Sequence, residues 1–208
     1  MTISATTQGL RPGVVTSSNR PANPYDGMMI YETDTNLVRI WNGTTWKTLS
    51  YSDYTNGSVI QVQSTTKTDT QTFTTATYTD ITGLSVSITP TATSSKVLVS
   101  ANITAYAQTN STQGFIRLVR DSTAIGVGTA AGSRVQATAP VSFTNTYHSL
   151  STGLSFLDSP STTSATTYKL QIRDEAGSSM YVNRSQLDND SYNGGRYIST
   201  ITVMEIAG

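Results

Sequence analysis

The chain has a single histidine, His148, so any Ser–His–Asp triad would have to be built around it. No G-x-S-x-G motif is present to supply the exposed serine nucleophile of a hydrolase. The glycine-rich stretch GVGTAAG, residues 126–132, lacks the spacing of a phosphate-binding loop. Two carboxylates for glycoside cleavage can lie far apart in sequence, so the 13 Asp and Glu residues leave such a pair open. We expect no catalytic residues, no enzymatic activity and no cofactor.

A second group of polar residues lies near the C-terminus, in the stretch LDNDSYNGGR. An EF-hand counted from Asp188 would place Tyr192 and Asn193 where a liganding oxygen and a glycine are needed, so that motif fails. The stretch is either an irregular calcium site or a solvated turn. An aromatic ring beside amides and carboxylates also suits a sugar, because the ring stacks while the polar groups bind hydroxyls. We predict Tyr192, Asn193, Asp188 and Asp190 as candidate receptor contacts.

The composition argues against several other classes of protein. Charged residues make up 12% of the chain and the formal net charge is zero, so there is no basic surface for nucleic acid or anionic lipid. There is no cysteine and therefore no disulfide framework. No apolar run approaches the roughly 18 residues of a membrane span, and the first residues do not form a secretory signal. We expect a protein made in a cytoplasm, without nucleic-acid partners or membrane insertion.

Alternation of apolar and polar residues is the dominant pattern, and no amphipathic helical pattern extends over three turns. Such alternation is typical of antiparallel strands with one buried and one solvated face. Turn-forming residues separate the segments. The pattern predicts an all-β chain whose larger part, of about eight strands, is an antiparallel β-sandwich of the jelly-roll type. The predicted buried faces are Leu84, Val86 and Ile88; Val97, Val99, Ala101 and Ile103; Tyr168, Leu170 and Ile172; and Tyr197, Ile201 and Val203.

The chain divides by pattern into residues 1–58 and residues 59–208. Prolines in the first 26 residues disfavour a helix, so we predict an extended arm with little regular structure that docks on another protein. A three-stranded meander follows, which buries too little surface to be stable alone and must pack on something else. Its predicted strands are Met28–Glu32, Leu37–Trp41 and Trp46–Leu49.

The meander and the residues before it carry a recognisable motif, RPANPYDGMMIYETDTNLVRIWNGTTWKTL. The residues that define the motif in this chain are Arg20-Pro21, Asp26-Gly27-Met28, the run from Ile30 to Thr35, Trp41-Asn42-Gly43 and Trp46. It resembles a module common near the N-termini of tailed-bacteriophage virion proteins, especially those of marine and cyanobacterial phages. The ending YISTITVMEIAG is similar to the last strand of trimeric heads of the tumour-necrosis-factor or C1q type.

The resemblance implies a structural protein of the virion, assembled in the host cytoplasm. Our main hypothesis is a homotrimeric fibre or fibre tip, anchored to other virion proteins by its N-terminus and contacting a host-surface glycan. The first alternative is a capsid decoration or cement protein that clamps capsomers. The second is a lectin-like glycan-binding protein. No sequence feature separates the first two.

The tryptophans are predicted to form a docking plug. Trp41 shares one face of the middle strand with Leu37 and Arg39, and Val38 and Ile40 share the other. A short turn should place the two indoles side by side across the hairpin, facing a sibling subunit or the particle. The predicted docking and assembly residues are Met28, Ile30, Tyr31, Trp41 and Trp46.

Overall fold

The computed structural model describes residues 12–49, 56–107, 113–141, 149–192 and 194–208. These residues form fifteen strands and one 3-10 helix, Ser17–Asn19, and they contain no α-helix. The chain divides into two compact units, residues 1–55 and 56–208. The strands are β1 Gly13–Val15, β2 Met29–Glu32, β3 Leu37–Trp41, β4 Trp46–Thr48, β5 Val59–Lys67, β6 Gln71–Thr74, β7 Thr79–Ile88, β8 Lys96–Ala107, β9 Gly114–Arg120, β10 Thr123–Ile125, β11 Ala139–Val141, β12 Leu150–Asp158, β13 Thr166–Asp174, β14 Ser179–Val182 and β15 Ser199–Ile206.

The N-terminal unit is a four-stranded sheet in the order β1-β2-β3-β4. The last three strands form the antiparallel meander that the sequence predicts. The fourth strand, β1, comes from the predicted extended arm and pairs in parallel with β2. The described part of the arm, residues 12–26, is therefore more regular than its prolines suggest, because the β-branched pair Val14 and Val15 can complete the free edge of β2. The rest of the predicted arm lies outside the described residues. The backbone N–H of Thr33 donates to the carbonyl of Val15 at 2.9 Å and extends this pairing.

The C-terminal unit contains two antiparallel sheets. One has the order β10-β9-β13-β7, with β11 also paired to β9, and the other has the order β5-β15-β8-β14-β6, with β12 also paired to β8. An all-β architecture with a sandwich of antiparallel sheets was predicted and is confirmed. The described residues of the unit form eleven strands where about eight were expected. The additional strands are short ones, such as β6 and β10, that lie in stretches whose polar composition resembles loops.

The core lies between the two sheets and is built from alternate residues of the long strands. The inward positions of β13 are all buried, and the inward positions of β7, β8 and β15 are buried in the same way. The predicted buried faces are confirmed except at Tyr197, which is exposed because the last strand begins only at Ser199. Within the described residues, no helix has the length and hydropathy needed to cross a membrane.

A buried carboxylate joins the two sheets of this unit. Asp158, at the end of β12, accepts a 2.7 Å hydrogen bond from the hydroxyl of Tyr168 in the other sheet. The guanidinium of Arg120 donates to both oxygens of the same carboxylate, at 3.0 and 2.8 Å. Burial and the neighbouring carboxylate raise the pKa of Tyr168 far above its usual value, so this hydroxyl remains a donor. The contact fixes how the sheets face each other.

Truncating the core should destabilise the C-terminal unit strongly. Leu170 is fully buried between the sheets, so Leu170→Ala leaves a cavity and should lower the free energy of unfolding by about 2–5 kcal/mol. The control is Ser155→Ala, at an exposed position of β12. Urea unfolding followed by far-UV circular dichroism measures both variants. Equal stability of the two would contradict the packing described here.

Candidate functional site

Glu32 is the buried centre of the N-terminal sheet. Its carboxylate accepts hydrogen bonds from the side chains of Arg20, Arg39 and Thr35, the last two at 3.2 and 2.9 Å. Arg39 also donates to the hydroxyl of Thr48 on β4. A buried carboxylate is tolerated only when paired and hydrogen-bonded in this way. The network therefore ties the segment before the meander to β2, β3 and β4.

The same contacts favour the charged form of Glu32. The hydrogen bond from Arg20 lowers the pKa of this carboxyl below its ordinary value, against the opposing effect of burial. Asp34 behaves similarly, because the hydroxyl and backbone N–H of Ser17 donate to it and lower its pKa. Both contacts fasten the residues around the 3-10 helix to the sheet. A cut at residue 26 would remove β1, Ser17 and Arg20 together, so it would damage the sheet as well as the arm.

The two indoles form a cross-strand pair, as predicted. Trp41 and Trp46 are directly opposite in the register of β3 and β4. Their ring centroids are 5.5 Å apart and the planes are inclined by 61°, an edge-to-face arrangement. The turn between them is closed by Asn42, whose side-chain oxygen accepts from the backbone N–H of Thr45 at 2.8 Å. Gly43 adopts a φ of 92°, which favours glycine. Both indoles are half-buried.

The small sheet has two different faces. One, the Glu32 face, carries Ile30, Glu32, Leu37, Arg39, Trp41 and Trp46. The opposite face, which we call the apolar face, carries one charged residue, Lys47, which lies opposite Ile40 on the edge strand β4, and six apolar residues, Val14, Met29, Tyr31, Val38, Ile40 and Leu49. Val14 and Leu49 are 46% and 57% exposed, and the other four are half-buried. An apolar face of this kind is typical of a surface that another molecule covers.

The predicted docking residues are divided between these two faces. Ile30 is only 1% exposed, so its side chain belongs to the core of the unit in this state. Tyr31 lies on the apolar face, and its hydroxyl donates to Asn36 at 3.0 Å. Met28 is half-buried just before β2. The sequence reasoning placed Val38 and Ile40 on one face but gave them no role. Alternation in β2 and β3 together was the signal that could have identified the apolar face.

Three of the four predicted receptor contacts, Asp188, Asp190 and Tyr192, lie in a polar loop of the C-terminal unit. Asp188 and Asp190 line a cavity of about 350 Å³, and Tyr192 beside it is 98% exposed. Arg196 pairs with Asp188 and lowers the pKa of its carboxyl. Asn193 and His148 lie outside the described residues. The part of the chain that the structure describes contains no group of three or more His, Cys, Asp or Glu side chains that could hold a metal ion.

Comparison with known proteins adds a family match to the N-terminal part. Residues 1–67 match the family model described as "Phage tail like trimerisation region". This segment contains the four-stranded sheet with both its faces, and also β5. The match covers about a third of the chain and supports a phage structural protein that forms homotrimers. A search of curated proteins found no match.

Two solved viral structures resemble the chain weakly. "Structure of infectious bursal disease virus Gx strain" has 13% identity and a TM-score of 0.35, and the alignment covers 80% of this chain and 42% of that one. "Crystal structure of infectious bursal disease virus VP2 subviral particle" has 14% identity and a TM-score of 0.34, with coverages of 80% and 41%. The chain thus spans less than half the length of these solved chains. Both TM-scores are too low for the likeness to indicate a shared function.

The Glu32 network should make the N-terminal unit sensitive to acid. Because the folded-state pKa of Glu32 is below its ordinary 4.5, its stabilising effect is complete above that value and is lost as the pH falls through the folded-state pKa. Glu32→Gln should therefore be less stable at neutral pH and lose less stability on acidification. Both tryptophans lie in this unit, so indole fluorescence during urea unfolding measures it selectively.

The control for this prediction is Asp34→Asn. Its carboxyl also has a lowered pKa, caused first by the Ser17 hydroxyl, so part of the acid sensitivity should remain in Glu32→Gln. The double variant should remove both contributions. Unchanged acid sensitivity in Glu32→Gln would show that the carboxylate does not stabilise the unit through its charge.

Proposed function

We propose that the protein is a homotrimeric fibre or fibre-tip component of a phage virion. In this proposal the N-terminal unit joins the three copies and attaches them to the particle, and the C-terminal unit contacts the host surface. The observation that carries the proposal is the apolar face, which lies within the residues that match a phage trimerisation region. A trimer also meets the need of a small sheet for apolar cover that it cannot provide itself.

The chemistry of the two faces of the small sheet suggests a separate task for each. The Glu32 face is occupied by its own ion pairs and by contacts from the segment around Arg20. The apolar face carries a single charged side chain, Lys47, beside four half-buried and two exposed apolar side chains. We therefore assign the apolar face to contacts between copies. We assign the half-buried indole pair to contact with another virion protein.

Host contact is assigned to the loop that carries Asp188, Asp190 and Tyr192. The nearly complete exposure of Tyr192 supports this assignment, because an exposed ring beside polar groups can stack on a sugar while those groups bind its hydroxyls. The neutral formal charge of the chain favours a glycan without strong charge over a polyanion.

A charge on the apolar face should disrupt the trimer. Ile40 lies on β3 of that face, opposite Met29 and Lys47, so Ile40→Asp would replace apolar contacts between copies with a carboxylate that must lose its water even if it pairs with Lys47. We expect it to lower the trimer fraction about tenfold or more at micromolar concentration. Ala22→Asp, at an exposed position of the same unit, is the control and should trimerise normally. Sedimentation velocity gives the oligomeric state. A trimer of unchanged stability in Ile40→Asp would exclude this face as the subunit contact.

Loss of an indole should affect attachment more than folding. A fully buried tryptophan contributes about 3–5 kcal/mol relative to alanine, and Trp41 is only half-buried in the single chain. We expect Trp41→Ala to reduce incorporation into virions while the melting temperature of the C-terminal unit stays unchanged. Quantitative blotting of purified particles measures incorporation. Normal incorporation of Trp41→Ala would mean that the hairpin is a spacer and not a docking element.

A further inference from the structure

On the outer face of the six-stranded sheet, four neighbouring strands change from polar to apolar side chains at the same position along the strands. Toward one end, the outward side chains are small and polar, as expected for a solvated face. Toward the other end, each of these strands switches to apolar residues, except that β8 begins with the exposed Lys96, opposite Ile206. The polar positions are Ser64 and Thr66 on β5, Thr200 and Thr202 on β15, Ser100 and Asn102 on β8, and Gly153 and Ser155 on β12. The apolar positions are Val59, Val62, Met204, Ile206, Leu98 and Leu157.

Strand register aligns four of these apolar side chains in one continuous row. Val62 is opposite Met204, Met204 is opposite Leu98, and Leu98 is opposite Leu157. The row thus crosses the sheet from β5 to β12. At its two ends, Val62 and Leu157 are 51% and 48% exposed. We call the row, together with Val59 and Ile206 beside it, the outer apolar row.

Local strand preference does not account for this arrangement. The four strands are far apart in sequence, and each has polar residues on the same face a few positions away. Because the change from polar to apolar side chains occurs at aligned positions on all four strands, the apolar side chains form a single surface. Contiguous exposed apolar surface in a polar surround is typical of an interaction site. The row itself carries no charge, and Lys96, opposite Ile206, is the charged residue that borders it. Most of the contact surface therefore suits an apolar partner.

We propose that the outer apolar row is a second contact between copies of this chain, which extends the trimer from the N-terminal unit into the C-terminal one. We take the molecule that covers the row to be another copy of this chain, because the segment that matches the trimerisation region continues into the row. The family match extends to residue 67, so it includes the whole of β5 and the side chains of Val59 and Val62. Around a threefold axis, three such rows would cover each other. The inference rests on the proposed trimer.

The test compares two substitutions on the same strand and the same face. Leu157→Asp lies in the outer apolar row, and Ser155→Asp lies two residues away among the polar positions. We expect Leu157→Asp to raise the trimer dissociation constant about tenfold or more, and Ser155→Asp to change it by less than about twofold. Leu157→Ser should give a smaller increase in the same direction. Because Leu157 is half-exposed, this mild variant keeps the test valid if the aspartate impairs folding.

Sedimentation equilibrium of the full chain over a dilution series distinguishes the outcomes. Equal dissociation constants for the Leu157 and Ser155 variants would overturn the inference. If Leu157→Asp trimerises normally but no longer enters virions, another virion protein covers the row and the assignment to a second copy is wrong. If Ile40→Asp weakens the trimer and neither Leu157 variant does, the proposed function stands and this inference fails. A monomeric parent chain would overturn both.

Discussion

Every strand in this chain has two faces, and what packs against each face determines both the fold and the assembly. Where two sheets of one unit meet, apolar inward faces cover each other and form a dry core between β7, β8, β13 and β15. Among the described residues of its unit, the small N-terminal sheet has no second sheet to pack against. It covers part of one face with an ion-pair network and leaves the other apolar. The surfaces assigned to assembly are those where apolar faces remain partly exposed.

Glu32 shows how a small unit can be held together with little hydrophobic core. Its carboxylate is fully buried, yet three side chains from separate parts of the unit donate to it. Removing any partner would leave a buried charge partly unsatisfied, so the network enforces one arrangement of the segment and the sheet. In consequence, the network fixes the backbone of β2 and β3, and the apolar face on their other side becomes a defined surface. A flexible meander could not present such a face to a sibling copy.

The sequence predicted the regular parts of this molecule well, because alternation directly encodes which strand face is buried. The three strands of the meander, the Trp41–Trp46 pair and most of the core followed from that pattern. The strand β1 was missed because parallel pairing depends on a free edge that exists only after the meander forms. The Glu32 network was missed because its partners lie up to 12 residues away and no spacing rule connects them. The outer apolar row was missed for the same reason, since it appears only when four distant strands are in register.

Low charge is also consistent with contacts between identical chains. A symmetric assembly brings each surface close to copies of itself, so any charge on a surface near the axis meets the same charge. Like charges at close range oppose association, and this cost increases where water is excluded. A surface of Val, Leu, Ile and Met avoids that cost, and Ser and Thr beside it can form hydrogen bonds with either neighbours or water. The apolar face and the outer apolar row consist mostly of such residues, and each has one lysine on or beside it, Lys47 and Lys96 respectively. Their low charge therefore suits self-association around an axis, whereas the indole pair, beside Arg39, and the Tyr192 loop, beside Asp188 and Asp190, are better suited to different partners.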